Sequence, residues 1–181
     1  MSRIASALLL LLAPAVAAAQ APASTTAAAN PNPAVAAAAA PYEQVKNYLL
    51  RSAEQTPESL YAFKATPEVR SLGQLIAHVA DGQMAYCSAA LGETSSQPSV
   101  EETMTTKATI VEALKTSITL CDRAYAQTDA QAMAEAKIFG RVGTRLGALV
   151  MNSTHDYEHY GNIVTYLRLK GIVPPSSQRG N

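Results

Sequence analysis

Four stretches of this chain space their apolar residues for one face of a helix, and none sustains the strict alternation that a half-buried strand needs. Val45, Tyr48, Leu49 and Leu50 mark the first, over residues 42–56, where Pro57 halts it. The second runs over about 71–91; Ser71 and Gln74 have capping-box spacing, and Gly92 suits a left-handed C-terminal stop. Ile110, Val111, Leu114, Ile118, Cys121 and Tyr125 form the stripe of the third, over 107–127. The fourth covers about 144–170 and ends at Gly171, ahead of Pro174 and Pro175. Residues 58–69 and 93–103 read as loops, a short helical turn follows Asp129, and 139–143 is a connection. The expected fold is all-α, a four-helix bundle.

The N-terminal forty residues are of a different kind. Arg3 precedes an apolar run over 4–12 that is closed by Pro14 and by Ala17, Ala18 and Ala19, so residues 1–19 read as a signal peptide. Pro14 interrupts the run too early for a membrane anchor, and no stable membrane insertion is expected after cleavage. Residues 20–40 are mostly Ala, Pro, Ser and Thr, which offer little to bury, so this stretch is expected to be a disordered linker. The run Ala36–Ala40 has helical propensity but is too short to meet the nucleation cost alone. The folded domain is then 41–181, and the mature protein is expected to be periplasmic or secreted. Loss of the signal removes Arg3 and no acid, leaving 13 basic residues against 14 acidic ones. No basic stripe with interleaved aromatics occurs, and no nucleic-acid partner is expected.

An exported protein with two cysteines is a candidate for one disulfide. A Cys87–Cys121 bridge would join the second and third helices and, by loop length, stabilise the fold by about 4 kcal/mol. Cys87 lies nine residues beyond His78, half a turn off the histidine face, and is poorly placed as a metal ligand.

His78, His155 and His159 are the chain's three histidines. His155 and His159 are four apart on the fourth helix, so their rings project from one face about 6 Å apart along the axis, a spacing that suits two ligands of one ion. His78 lies on the second helix and supplies a third imidazole if the two helices pack side by side; Gly82, Ala85 and Ala89 on its face leave room for an ion and a ligand. Imidazole suits one divalent transition metal, zinc or nickel first among them, with copper or iron also compatible, and three protein ligands leave a position open. Asp81, three residues past His78, is the candidate to orient an imidazole or take a proton from bound water. Asp156 and Glu158 flank the helix-four pair and could equally be solvated. His155 to His159 also match the inverted zinc-protease pattern, but too little chain follows for its downstream acidic ligand. These residues fit a metal-dependent hydrolase or group transferase acting on a small-molecule substrate, with a non-catalytic metal- or ligand-binding bundle holding a structural ion as the alternative.

The segments Leu75-Ile76-Ala77-His78-Val79-Ala80-Asp81 and Tyr86-Cys87-Ser88-Ala89-Ala90-Leu91-Gly92-Glu93, and above all the run from His155 to Pro175, resemble the DinB-like (YfiT-type) family of metal-binding four-helix bundles. The similarity extends over about 42–177. It implies that His78, His155 and His159 are the three metal ligands, that the helices follow an unusual connection order, and that the protein forms a homodimer. Some relatives bind the thiolate of a low-molecular-weight thiol at the metal and transfer it to an electrophile, and others are described as metal-dependent hydrolases. Gly161-Asn162 stands where many relatives carry Gly-Gln, which leaves the ligand set intact.

Overall fold

The computed structural model describes residues 30–95 and 98–178, so the expected signal peptide and the first part of the expected linker lie outside the described residues. Among the described residues the order is α1 (Pro33–Gln55), α2 (Leu72–Leu91), α3 (Val100–Thr103), α4 (Lys107–Tyr125), α5 (Asp129–Ala132), β1 (Glu135–Ile138), β2 (Arg141–Thr144) and α6 (Arg145–Leu169). The expected count of four is therefore corrected to six α-helices, four long and two of a single turn, with a hairpin added. Both α1 and α2 pack against α4 and α6, so the connection from α1 to α2 crosses a diagonal. No helix among the described residues is long and apolar enough to cross a membrane.

The linker expectation fails over 33–40, which are the first turns of α1. Pro33 occupies the start of the helix, where its missing N–H costs nothing. The first free amides are satisfied from far along the chain: Asp129 accepts from the Ala34 and Val35 N–H groups at 3.0 and 2.9 Å, and the Asp129 N–H donates to the Asn32 side chain at 3.0 Å. Val35 and Ala38 are buried beside Tyr125 and Leu149. Pro41 sits inside the helix and removes one backbone bond. Burial of Val35 and Ala38 before it, and of Tyr42, Val45 and Leu49 after it, holds the axis continuous.

Local chemistry accounts for most of the other boundaries. Ser71 and Gln74 form the capping box of α2, and Gly92 closes it at φ 74°. Thr106 caps α4 and Thr144 caps α6. The hairpin pairs Glu135 with Thr144 and Ile138 with Arg141 around Phe139 and Gly140, at φ 48° and 80°. Positive φ at both central residues is the mark of a type I′ turn, which matches the twist of the strands it joins.

The core falls into two apolar clusters, one around Leu72, Ile76, Leu114, Ile163 and Leu167, the other around Tyr42, Tyr125, Ala148 and Leu149. A polar layer lies at mid-height. Gln83 of α2 donates to Asp156 of α6 at 2.9 Å and accepts from Ser117 of α4 at 2.7 Å, while Asn152 donates to Asp156 at 3.4 Å and to the Tyr125 hydroxyl at 3.3 Å. Cys87 and Cys121 are bridged, joining α2 to α4 as expected. Asp156 is fully buried, and the solvated position open to it in the sequence is excluded, whereas Glu158 is exposed.

Burial pushes the Asp156 carboxyl from the ordinary carboxylate range up to about 8, with the Gln83 hydrogen bond working the other way. The folded state thus holds a proton that the unfolded chain releases near pH 4, and stability falls as pH rises from about 4 to about 8. Urea melts of metal-free protein are expected to show Asp156→Asn gaining on the wild type across this window, by a few kcal/mol at pH 8 and much less at pH 5. A gain that does not vary with pH would contradict the buried, protonated acid.

Candidate metal centre

Two adjacent turns, one on α2 and one on α6, bring the histidines together. His155 and His159 occupy the same face of α6, and His78 faces them from α2. One nitrogen from each ring lies within 4.8 Å of the other two, and among the described residues no fourth imidazole, thiol or carboxylate joins this group. The Nε2 atoms of His78 and His155 are 3.3 Å apart, and the ring centroids of the three pairs lie at 5.1, 4.7 and 4.4 Å.

This spacing fits a cation. Two imidazole nitrogens bound tetrahedrally at about 2.0–2.1 Å from zinc stand about 3.3 Å from one another. Histidines kept only for packing would bond their nitrogens to nearby carbonyls or hydroxyls, yet the Nδ1 atoms of His155 and His159 are buried without a partner. The donor set is also in the right state. Burial, followed by the neighbouring His159 and His78, lowers His155 from 6.5 to about 4, and burial first, then His78, lowers His159. Both rings are therefore neutral at physiological pH, with lone pairs that no proton occupies.

Gly82 makes the third approach possible. A Cβ placed there would lie 2.3 Å from His155 Cε1 and 2.7 Å from its Nδ1, so the His155 ring rests where a side chain would otherwise be. The small residues noted beside His78 thus admit the opposing histidine as well as leaving space for a ligand.

Asp81 does not take the role expected of it. One of its oxygens accepts from the Val100 N–H at 2.7 Å, and the other from the Ser99 hydroxyl at 2.8 Å and the Glu101 N–H at 3.0 Å. The carboxylate is committed to holding α3 against α2. The imidazole is instead oriented by Glu101, whose Oε2 lies 3.0 Å from His78 Nδ1 while Oε1 accepts from Arg70 Nε at 2.7 Å. A proton on Nδ1, shared with this carboxylate, leaves the Nε2 lone pair of His78 aimed at the other rings. Asp81 acts on His78 only through the position it gives Glu101. The Ser99-to-Glu102 spacing, with the Ser99 hydroxyl accepting from the Glu102 N–H, is the sequence signal for this turn, but its docking on His78 is tertiary.

Replacing Glu101 by Gln keeps the shape and loses the charge that fixes the tautomer. Competition titrations against a chromophoric chelator are expected to show metal affinity 10- to 100-fold weaker. Affinity within a factor of about two of wild type would show that His78 needs no carboxylate behind it.

A family model described as the DinB superfamily matches residues 41–163. No curated protein sequence matches the chain. Similar solved structures include a DinB-like protein from Bacillus cereus, at TM-score 0.65 and 16% identity over 74% of this chain and 91% of that one. Another is a DinB-like protein from Bacillus subtilis, at TM-score 0.58 and 18% identity over 82% and 100%. A third is a histidine-to-alanine mutant of a mycothiol-dependent maleylpyruvate isomerase, at TM-score 0.59 and 17% identity over 71% of this chain and 60% of that one.

Proposed function

The chain belongs to the DinB superfamily, and from that premise we propose that it is an exported metal-dependent enzyme in which His78, His155 and His159 hold one divalent transition metal, zinc or nickel. The observation that carries this reading is the convergence of three ring nitrogens within 4.8 Å, with no fourth ligating group joining them among the described residues. An ion with three protein ligands supplies a Lewis acid with room for water or a substrate heteroatom.

The chain's own residues prepare that position. Glu101 keeps the His78 proton on Nδ1, and burial keeps His155 and His159 neutral. Tyr86, whose ring centroid is 5.5 Å from that of His155, has its hydroxyl pKa raised by burial and then by Glu158, so it holds its proton at neutral pH. Glu101 is engaged with Arg70 and His78, and Asp81 with the start of α3, so both carboxylates serve first to position the site.

Hydrolysis is the branch we favour over thiol transfer. The apolar segment over 1–19 and the Cys87–Cys121 bridge both suit an oxidising compartment, where reduced small thiols are scarce. The mycothiol dependence of one structural neighbour belongs to that protein, whose likeness to this chain is one of fold.

The test is elemental analysis of protein purified without added metal, joined to turnover of chromogenic carboxylic and phosphoric esters. Wild type is expected to carry close to one ion per chain and to turn over at least one ester, while His155→Ala loses the ion and at least about a hundredfold in rate. A firmly held ion with no exchangeable water and no turnover would support a structural ion instead.

A further inference from the structure

The hairpin tip is built from the wrong residue for a turn alone. Phe139 takes the first central position of the type I′ turn at φ 48°, where Asn, Asp or Gly is favoured and a bulky side chain is strained. It also leaves an aromatic ring 71% exposed. Neither property helps the fold, and a strained, exposed aromatic beside a candidate centre points to a ligand.

What the ring touches leads back to the histidines. Phe139 packs edge-on against Tyr86, centroid to centroid 5.3 Å, and Tyr86 in turn lies 5.5 Å from His155. Beside Phe139 a cavity of about 360 Å³ opens between β1 and α2, with Ala85, Ala89, Ile138 and Phe139 among its walls. That volume falls within the range of small-molecule sites, roughly 300–1,000 Å³. Ala85 follows Gly82 by three residues on α2, so the cavity begins about 4.5 Å along the helix from the level of His155. Its apolar side is made by Ala85, Ala89, Ile138 and Phe139, while Glu93, Thr94, Ser95, Glu135 and Lys137 supply its polar walls. A flat apolar group fits against Ala85, Ala89, Ile138 and Phe139, and a polar substituent carried beyond it meets the remaining walls.

Resting on the metal-site reading above, we infer that Tyr86 and Phe139 form an aromatic subsite, and that the substrate carries an aryl or similarly flat apolar group next to the heteroatom presented to the metal. Phe139, backed by Tyr86, sets one wall, with Ala85 and Ala89 as the floor.

Two hydroxamates that share a metal-binding head test this. Zinc-loaded full-length protein is titrated calorimetrically with benzohydroxamate and acetohydroxamate, in the wild type and in Phe139→Ala, Phe139→Asn and Phe139→Tyr. The preference for the aryl compound is expected to drop roughly five- to tenfold in the Ala and Asn variants and to persist in the Tyr variant, while acetohydroxamate affinity stays within about twofold. Phe139→Asn is also expected to raise Tm, since Asn tolerates the left-handed backbone. An aryl preference equal in all four proteins overturns the subsite while leaving the metal centre standing. Binding of neither hydroxamate to metal-loaded wild type overturns both. Sedimentation that shows Phe139→Ala splitting a dimer, with ligand preference unchanged, assigns the ring to contact between copies and also overturns the subsite.

Discussion

The candidate centre depends on one close crossing, where α6 passes α2 at Gly82. With no side chain there, the His155 ring lies against the α2 backbone at a distance that a methyl group would occupy. Glycine in mid-helix costs about 1 kcal/mol relative to alanine. The capping box at Ser71 and Gln74, the left-handed stop at Gly92 and the bridge from Cys87 to α4 offset that cost within the same helix. The next residue on each strand of the crossing turns inward: Gln83 follows Gly82, Asp156 follows His155, and these two are hydrogen-bonded at 2.9 Å. One register therefore sets both the histidine cluster and the buried polar layer. A slip of either helix would break this interior hydrogen bond as it moved the rings.

Charge is arranged on both sides of that crossing. Toward the surface, Arg70, Glu101 and His78 form a chain in which each group fixes the next, and Asp81 anchors the turn that carries the middle member. Toward the core, Asp156 is held protonated among Gln83, Asn152 and Ser117. His155 and His159, between them, are kept neutral mainly by burial. An isolated charge in this position would be costly, and a cation held by the three rings would meet neutral donors and one paired carboxylate.

How far the sequence could be read follows from where each signal resides. α2, α4 and α6 announced themselves because their stripes and caps are local, and the His155–His159 spacing is a property of one helix. The start of α1 was hidden because its cap is Asp129, 95 residues beyond Ala34, and an alanine-rich segment with prolines looks like a tether until that carboxylate arrives. The hairpin was missed because its strands are four residues long and Phe139-Gly140 is a weak turn signal compared with Asn-Gly. At the site, Asp81 lay on the right helix near the right face, but its reach toward Val100 and Glu101 spends it elsewhere. Glu101 sat in an apparently featureless polar loop, and only the docking of α3 brings it to His78.

X-ray absorption at the edge of the bound metal, recorded on wild type and on Gly82→Ala, examines the crossing and the centre together. The wild-type spectrum is expected to contain three imidazole shells with nitrogen at about 2.0–2.1 Å, and the variant, its His155 ring displaced by the new methyl group, is expected to retain two. A wild-type ion with no imidazole in its first shell, or an unchanged three-imidazole spectrum in Gly82→Ala, would contradict the account.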